Sequence, residues 1–251
     1  MQAVQSLGAA PLREAVERSS LDAQAAVQAL ATIEAQGQLV ALEAGSLAPH
    51  SDVLVTSAGA WDQMSSQALN ELDRYHSTFP LRPGMPKEEL RSRLKSLTRG
   101  SARLFNALIR RLLEAGELEE VGPLVKRPGH EIRFTGEQQR AVDALLGRFA
   151  ASPFAPPTIK ESQAEAGEEV YAALIAQNRL VPVSPEVVFR KEDYEKMVAE
   201  IRQMLERKGS ITAGEVRDHF DTSRRYMLAL LEHLDASGVT LRQGDVRVLR
   251  K

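Results

Sequence analysis

The sequence predicts a mainly α-helical protein with small β-hairpins, arranged as four tandem domains. One phrase recurs four times: a helix with an apolar stripe ends at a Gly or an Asn, and a short strand rich in Leu and Val follows. The residues that end these helices are Gly37, Gly116, Asn178 and Gly238. They lie roughly sixty to eighty residues apart, which favours tandem domains over a solenoid, whose repeats are typically ~20–50 residues. A second strand pattern follows each phrase and completes a hairpin.

Composition limits the classes of protein that need to be considered. The chain has 251 residues, of which 43% are hydrophobic, and a formal net charge of −2. It contains no cysteine, which excludes disulfides, zinc ribbons and thiol catalysis. No apolar run approaches the ~20 residues of a membrane span, and the N-terminus has no signal-peptide pattern. We therefore expect a cytoplasmic monomer without membrane contact. Any nucleic-acid site must be local, and the basic residues are concentrated near the C-terminus.

The first two domains are predicted at residues 1–57 and 58–130. In the first, helical patterns near 12–18 and 21–36 precede the strands, and Ser20 is a candidate N-cap for the second helix. Because the chain begins close to the first of these patterns, we expect this domain to lack its opening helix. The second domain has helical patterns at 61–77, 87–97 and 102–115, and its last strand falls at 124–126.

The third and fourth domains are predicted at residues 131–190 and 191–251. Helical patterns at 136–150, 158–164 and 168–177 belong to the third, and patterns at 191–208, 212–220 and 223–236 belong to the fourth. The linkers between all four domains look short, so we expect neighbouring domains to pack in an elongated, semi-rigid arrangement.

The last thirty residues are the most informative. Thr222 is a good N-cap for a helix whose stripe is formed by Met227, Leu230, Leu231 and Leu234. After Gly238 come two short strands, joined by a turn in which Gly244 is expected to adopt positive φ. A helix that begins with basic residues and is followed by a basic hairpin is typical of a winged helix. The fold class is therefore mainly α with small β wings, in four tandem winged-helix domains.

Two stretches resemble the C-terminal half of the bacterial selenocysteine-specific translation elongation factor, which carries four tandem winged helices. One stretch runs from Phe79 to Arg93 and includes the loop Leu81-Arg-Pro-Gly. The other comprises Thr222 to Asp235 and Val239 to Val248. The chain departs from the family where Leu241 precedes Arg242 in place of a second arginine, which puts one phosphate contact of the wing in question. It also has Arg225 at a position where the family often has Lys, which keeps the charge but changes its geometry.

The resemblance implies a function in selenocysteine incorporation. The family's factor delivers selenocysteinyl-tRNA to the ribosome at a recoded UGA codon, and its last winged helix binds an mRNA hairpin beside that codon. The chain lacks the Gly-x-x-x-x-Gly-Lys-Ser/Thr loop of a GTPase and the Asn-Lys-x-Asp motif. We therefore expect no enzymatic activity, no cofactor and no metal in this chain. GTP and Mg²⁺ are expected only in the GTPase half of such a factor.

The candidate RNA-binding residues lie in the fourth domain. Ser223, Arg224 and Arg225 fall in the first turn of its last predicted helix, where backbone N–H groups and the helix dipole favour an anion. Arg242 and Arg247 fall on the wing, where they are expected to contact the phosphates of a stem. The alternative for all five residues is a structural role: an ordinary first helical turn with its cap, and arginines that face solvent without binding RNA.

A possible second basic surface is formed by Arg82, Arg91 and Arg93, which lie in and after the Arg-Pro-Gly loop. The alternative for this segment is a rigid loop with a purely structural role. For the chain as a whole, the runner-up function is a winged-helix transcriptional regulator that reads the DNA major groove. A protein-binding winged-helix scaffold is the third possibility.

Overall fold

The computed structural model describes residues 1–250, in which three helices followed by a two-stranded hairpin occur four times. Residues 1–57 contain α1 (Gln2–Leu7), β1 (Ala10–Pro11), α2 (Leu12–Ser19), α3 (Ala23–Ala35), β2 (Leu39–Ala41) and β3 (Leu54–Ser57). Residues 58–130 contain α4 (Ala58–Thr78), β4 (Met85–Pro86), α5 (Lys87–Arg93), α6 (Ala102–Glu114), β5 (Glu119–Val121) and β6 (Leu124–Lys126).

The second half of the chain repeats this order, except that the third repeat has no strand between its first two helices. Residues 131–190 contain α7 (Gly136–Ala151), α8 (Ile159–Ala166), α9 (Glu168–Ala176), β7 (Leu180–Pro182) and β8 (Val188–Arg190). Residues 191–250 contain α10 (Lys191–Lys208), β9 (Ile211–Thr212), α11 (Ala213–His219), α12 (Arg224–Ala236), β10 (Thr240–Gln243) and β11 (Val246–Leu249). The fold class of helical domains with small β wings is confirmed.

The sheets have the topology expected of small wings. The strand orders are β1-β3-β2, β4-β6-β5 and β10-β11-β9, and β7 pairs with β8 alone. All pairings are antiparallel. In the three-stranded sheets the short strand before the second helix joins the hairpin, so the wing is tied to the base of its own domain.

The glycines and the asparagine that end the third helix of each repeat have the predicted conformation. Their φ angles are 64° at Gly37, 69° at Gly116, 55° at Asn178 and 76° at Gly238. These left-handed residues let the chain leave the helix and enter the first strand of the hairpin at once.

Two predictions for the first repeat are wrong. An opening helix is present as the six-residue α1, which is too short to produce a clear apolar period in the sequence. Helix α3 is capped by Asp22, whose carboxylate accepts a hydrogen bond from the Ala25 N–H at 2.8 Å, and not by Ser20. Ser20 instead ends α2 in the left-handed conformation, with φ 55°.

The chain divides into two compact units, Met1–Glu131 and the part that begins at Ile132. In the first unit, Leu42 and Leu54 belong to the same apolar cluster as Leu72, Tyr75 and other buried residues of the second predicted domain. In the second unit, the hairpin of the third predicted domain contributes Val183, Val187 and Phe189 to the core of the fourth. Within each unit, therefore, neighbouring predicted domains share a core. No helix among residues 1–250 combines the length and the apolar character needed to cross a bilayer.

Candidate nucleic-acid interface

The N-terminus of α12 is open to an anion. Ser223 is the N-cap residue, but its side chain makes no capping hydrogen bond. The first helical N–H groups lack intrahelical partners by geometry, and here no side chain substitutes for one. Such a terminus attracts phosphate through its N–H groups and the positive end of the helix dipole.

The predicted cap, Thr222, has another role. Its hydroxyl donates a short hydrogen bond to the carbonyl of Phe154 in the loop after α7. The ring of Phe154 also packs against Phe220, with ring centroids 5.0 Å apart. At the third residue of α12, the Tyr226 hydroxyl donates to the carbonyl of Pro156 at 3.0 Å. These contacts fix the start of α12 against the third predicted domain. No local pattern predicts them, because the partners are about seventy residues apart.

Arg224 and Arg225 are the first two residues of α12, and both are exposed. Arg224 makes no hydrogen bond or ion pair within residues 1–250. The Nη2 atom of Arg225 lies 3.1 Å from an Oε2 atom of Glu186, in the hairpin turn between β7 and β8. The two side chains are 48% and 75% exposed, so the pair contributes only ~0–1 kcal/mol. A phosphate can therefore replace Glu186 at small cost.

The wing carries Arg242 near its tip. The hairpin turn has Gly244 at φ 63°, as predicted. The Arg242 Nε donates a hydrogen bond to the carbonyl of Gly244 at 3.0 Å. This bond holds the side chain along the turn, and the residue remains exposed. Arg242 is thus available for a phosphate contact.

Arg247 is not available, which corrects its prediction as an RNA-binding residue. Its side chain is only 3% exposed, and its Nε donates to an Oδ2 atom of Asp235 at 2.9 Å. In the hairpin register Arg247 lies opposite Arg242, on the strand that also pairs with β9. The sequence pattern of a strand shows which residues share a face of the sheet. It does not show which of two arginines that lie opposite each other in the hairpin is buried.

The four equivalent helices differ in charge at their first turn. Helix α3 has no acidic residue in its first turn and no basic residue at all, and α9 begins with Glu168 and Glu169. Helix α6 has Arg103 at its second position, where α12 has Arg225. Among the described residues, α12 alone begins with two exposed arginines.

Arg103 is engaged within the first unit. It donates to Glu43 at 2.6 and 2.8 Å, and to a carboxylate oxygen and the carbonyl of Asp52 at 2.9 and 2.6 Å. The hydrogen bonds to Glu43 raise the pKa of Arg103, and the same contact lowers the pKa of Glu43. Because its donors are occupied by two acids, Arg103 joins the first predicted domain to the second instead of binding an external anion.

The second predicted basic surface is also engaged internally. Arg82 lies 4.0 Å above the ring of Phe79 and donates to the Tyr75 hydroxyl at 3.0 Å. Arg91 pairs with Glu88 at 3.1 Å. Arg93 pairs with Glu89 at 2.7 Å and with Glu71 at 3.4 Å. The arrangement agrees with the structural alternative for this segment.

The Arg-Pro-Gly loop has a steric reason for its glycine. A Cβ atom at Gly84 would lie 2.9 Å from the carbonyl oxygen of Val125, in the second strand of the wing. The His130 ring also bonds to the carbonyl of Arg82 at 2.9 Å and stacks on His76 with centroids 3.6 Å apart. The loop is therefore packed closely against its own wing. No group of three or more metal-ligating side chains occurs in residues 1–250.

Two of the four repeats match models of a known protein family. Residues 202–249 and residues 69–126 match family models described as elongation factor SelB, winged helix. Both segments are therefore similar to winged helices of elongation factor SelB. The first of these segments contains α12 and the Arg242 wing; the second contains the Arg-Pro-Gly loop and α6.

Full-length relatives agree with these matches. The chain is 25% identical over 207 residues to the selenocysteine-specific elongation factor of Desulfomicrobium baculatum, a match that covers 80% of this chain and 32% of that protein. It is 24% identical over 199 residues to the corresponding factor of Escherichia coli strain K12, covering 77% and 31%. The chain thus spans about a third of the length of the curated relatives it matches.

Two solved SelB structures are also similar. One is the mRNA-binding domain of elongation factor SelB from E. coli in complex with SECIS RNA, at 22% identity and a TM-score of 0.39, covering 47% of this chain and all of that one. The other is bacterial selenocysteine-specific elongation factor EF-Sec, at 19% identity and a TM-score of 0.46, covering 80% and 31%.

Proposed function

We propose that this chain is the mRNA-hairpin-binding part of a selenocysteine-specific elongation factor, and that it anchors the factor beside a recoded UGA codon. In this proposal the four repeats, at 1–57, 58–130, 131–190 and 191–251, are four winged helices. The fourth binds the hairpin, and the other three connect it to a GTPase part that binds GTP, Mg²⁺ and selenocysteinyl-tRNA. The chain itself is non-catalytic, needs no cofactor and acts in the cytoplasm.

The observation that carries the proposal is the open, basic N-terminus of α12. Ser223, Arg224 and Arg225 present backbone donors and two exposed guanidinium groups at one helix end. Arg242 adds an exposed cation on the wing of the same domain. Guanidinium groups bind phosphate in two-pronged geometry and also stack on unpaired bases, and unpaired loop bases are where RNA sequence is mainly read.

The similarity to selenocysteine-specific elongation factors supports the identity of the RNA. The overall charge of −2 also supports a restricted site over a general nucleic-acid coat. The first turns of the other three equivalent helices are acidic, neutral or internally paired. A protein that read a long DNA site with several domains would need more than one basic helix end.

The test is a binding measurement with three nucleic acids of equal length: a selenocysteine-insertion hairpin from the source organism, the same hairpin with a scrambled loop, and duplex DNA. Fluorescence anisotropy is measured for the wild type and for Arg224→Ala/Arg225→Ala. We expect tight binding of the authentic hairpin only, and its loss in the double variant. The circular dichroism spectrum and Tm of the double variant should match the wild type, because both side chains are exposed.

Equal, weak binding to all three nucleic acids would refute the proposal and leave a generic basic patch. Preference for duplex DNA would favour the transcriptional regulator. Loss of fold in the double variant would mean that the two arginines are structural, and the site would then be wrong even if RNA bound.

A further inference from the structure

A largely buried polar network joins the wing of the fourth domain to the end of α12. The carboxylate of Asp235, in the last turn of α12, accepts two hydrogen bonds. One comes from the Thr240 hydroxyl at 2.6 Å and the other from the Arg247 Nε at 2.9 Å. Thr240 is the first residue of β10, and its exposed fraction is 1%; that of Arg247, on β11, is 2%. One carboxylate thus holds both strands of the wing to the helix.

This network includes the strand residue that lies opposite the exposed wing arginine. In the hairpin register Arg242 is paired with Arg247, so the two residues face each other across the strands. Directly opposed like charges on neighbouring strands repel, which would push Arg242 away from its partner. Asp235 neutralises Arg247 and removes this repulsion. The Arg242 side chain is then held by its own bond to the Gly244 carbonyl at the tip.

The energetics indicate that the network orients the wing more than it stabilises the fold. Burial of a charged pair costs desolvation energy that the ion pair often only offsets, so replacement by apolar residues of similar size is commonly neutral or stabilising. Here the cost is increased by the Nη2 atom of Arg247, which is buried and has no hydrogen-bond partner. Hydrogen bonds are directional, whereas apolar contacts are not. Each hydrogen bond to Asp235 therefore fixes the orientation of one strand relative to the helix.

We propose that Asp235, Thr240 and Arg247 are positioning residues for RNA recognition. They set the angle between the wing and α12, so that Arg242 reaches the phosphate backbone of an RNA whose loop is bound at the start of the same helix. The inference rests on the proposed function, and it explains a buried arginine that contacts no RNA itself.

The experiment is a set of double-mutant cycles on binding of the authentic hairpin. The network is replaced by apolar residues of similar volume in Asp235→Leu/Thr240→Val/Arg247→Met. Arg242→Ala and, as the matched control, Arg224→Ala are each introduced into the wild type and into this triple variant. A second background, Asp235→Asn, changes almost no volume but leaves a single acceptor oxygen for two donors.

In the wild type, Arg242→Ala should weaken binding about tenfold, the loss typical of one hydrogen bond to a charged group. In the triple variant the same change should cost less than about twofold, because Arg242 no longer reaches the RNA; Asp235→Asn should give an intermediate loss. Arg224→Ala should cost the same in every background, since the substitutions lie at the other end of α12 and leave its first turn unchanged. The Tm of the triple variant should equal or exceed that of the wild type.

An undiminished penalty for Arg242→Ala in both backgrounds would overturn the inference while the proposed function stands. An Arg242→Ala variant that binds like the wild type would also overturn it, because there would be no wing contact to position. If the triple variant fails to fold, the isosteric Asp235→Asn background decides between the outcomes. Failure of the wild type to prefer the authentic hairpin is a different result, and it refutes the proposed function itself.

Discussion

The salt dependence of the binding affinity measures how many cationic side chains contact phosphates. The fourth domain presents three exposed arginines at the proposed interface: Arg224, Arg225 and Arg242. Each phosphate neutralised adds about −0.9 on a duplex stem, or about −0.7 on a single strand, to the slope of log K against log salt concentration. Two contacts at the loop and one on the stem predict a slope of about −2.3, so affinity should fall roughly 25-fold between ~50 and ~200 mM salt.

The Arg224→Ala/Arg225→Ala variant should keep only the contact of Arg242. Its slope should be about −0.9, and its affinity should fall only about 3.5-fold over the same range of salt. The matched control is Arg202→Ala/Arg207→Ala on α10, which removes two exposed arginines from the same domain and changes the net charge equally. The assay is fluorescence anisotropy of a labelled hairpin at five or more salt concentrations, with Kd fitted at each.

The control variant should retain the slope of the wild type. The reasoning is refuted if the two double variants lose slope equally, since binding would then follow net charge instead of the two residues at the start of α12. It is also refuted if Arg224→Ala/Arg225→Ala weakens binding without changing the slope, because those arginines would then make no phosphate contact.

Three further results are expected. Glu186→Gln should tighten hairpin binding about 1.4- to fivefold in the same assay, because it frees Arg225 from an exposed pair worth ~0.2–1 kcal/mol; weaker binding would contradict this. Burial and the stacked His130 lower the pKa of His76 to about 4, so the unfolded chain takes up a proton at a higher pH than the folded chain. Stability should therefore be full above about pH 6.5 and decline towards pH 4, and urea unfolding of His76→Gln should lack this decline. Leu230→Ala, in the core of the fourth domain, should lower the free energy of unfolding of that domain by ~2–5 kcal/mol in urea melts, and a cost below ~1 kcal/mol would contradict its packing.

Much of the fold follows from signals that are local in the sequence. Strand β6 has the predicted bounds, as does α10, and the four helix-ending residues have positive φ as expected. These elements are read correctly because apolar period and glycine conformation depend on neighbouring residues only. Features that depend on a distant partner are the ones that differ.

Thr222 and Arg247 illustrate that difference. Thr222 and Ser223 are adjacent and equally suited to cap a helix, and the choice between them is made by Phe154, which lies far away in the chain. Arg247 and Arg242 are both strand arginines, and burial of one is decided by Asp235 on the preceding helix. In both cases the residue type is chemically suitable for the predicted role, but a tertiary hydrogen bond has already used it.

One arginine position shows how a repeated scaffold can be given different tasks. Arg103 and Arg225 are each the second residue of a thirteen-residue helix that follows a serine N-cap. Arg103 meets two acids of the preceding repeat, and its donors are occupied. Arg225 meets one acid that is 75% exposed, and Arg224 precedes it where the other helix has alanine. The number and exposure of the acids contributed by the preceding repeat therefore decide whether this helix end joins two domains or remains able to bind an external phosphate.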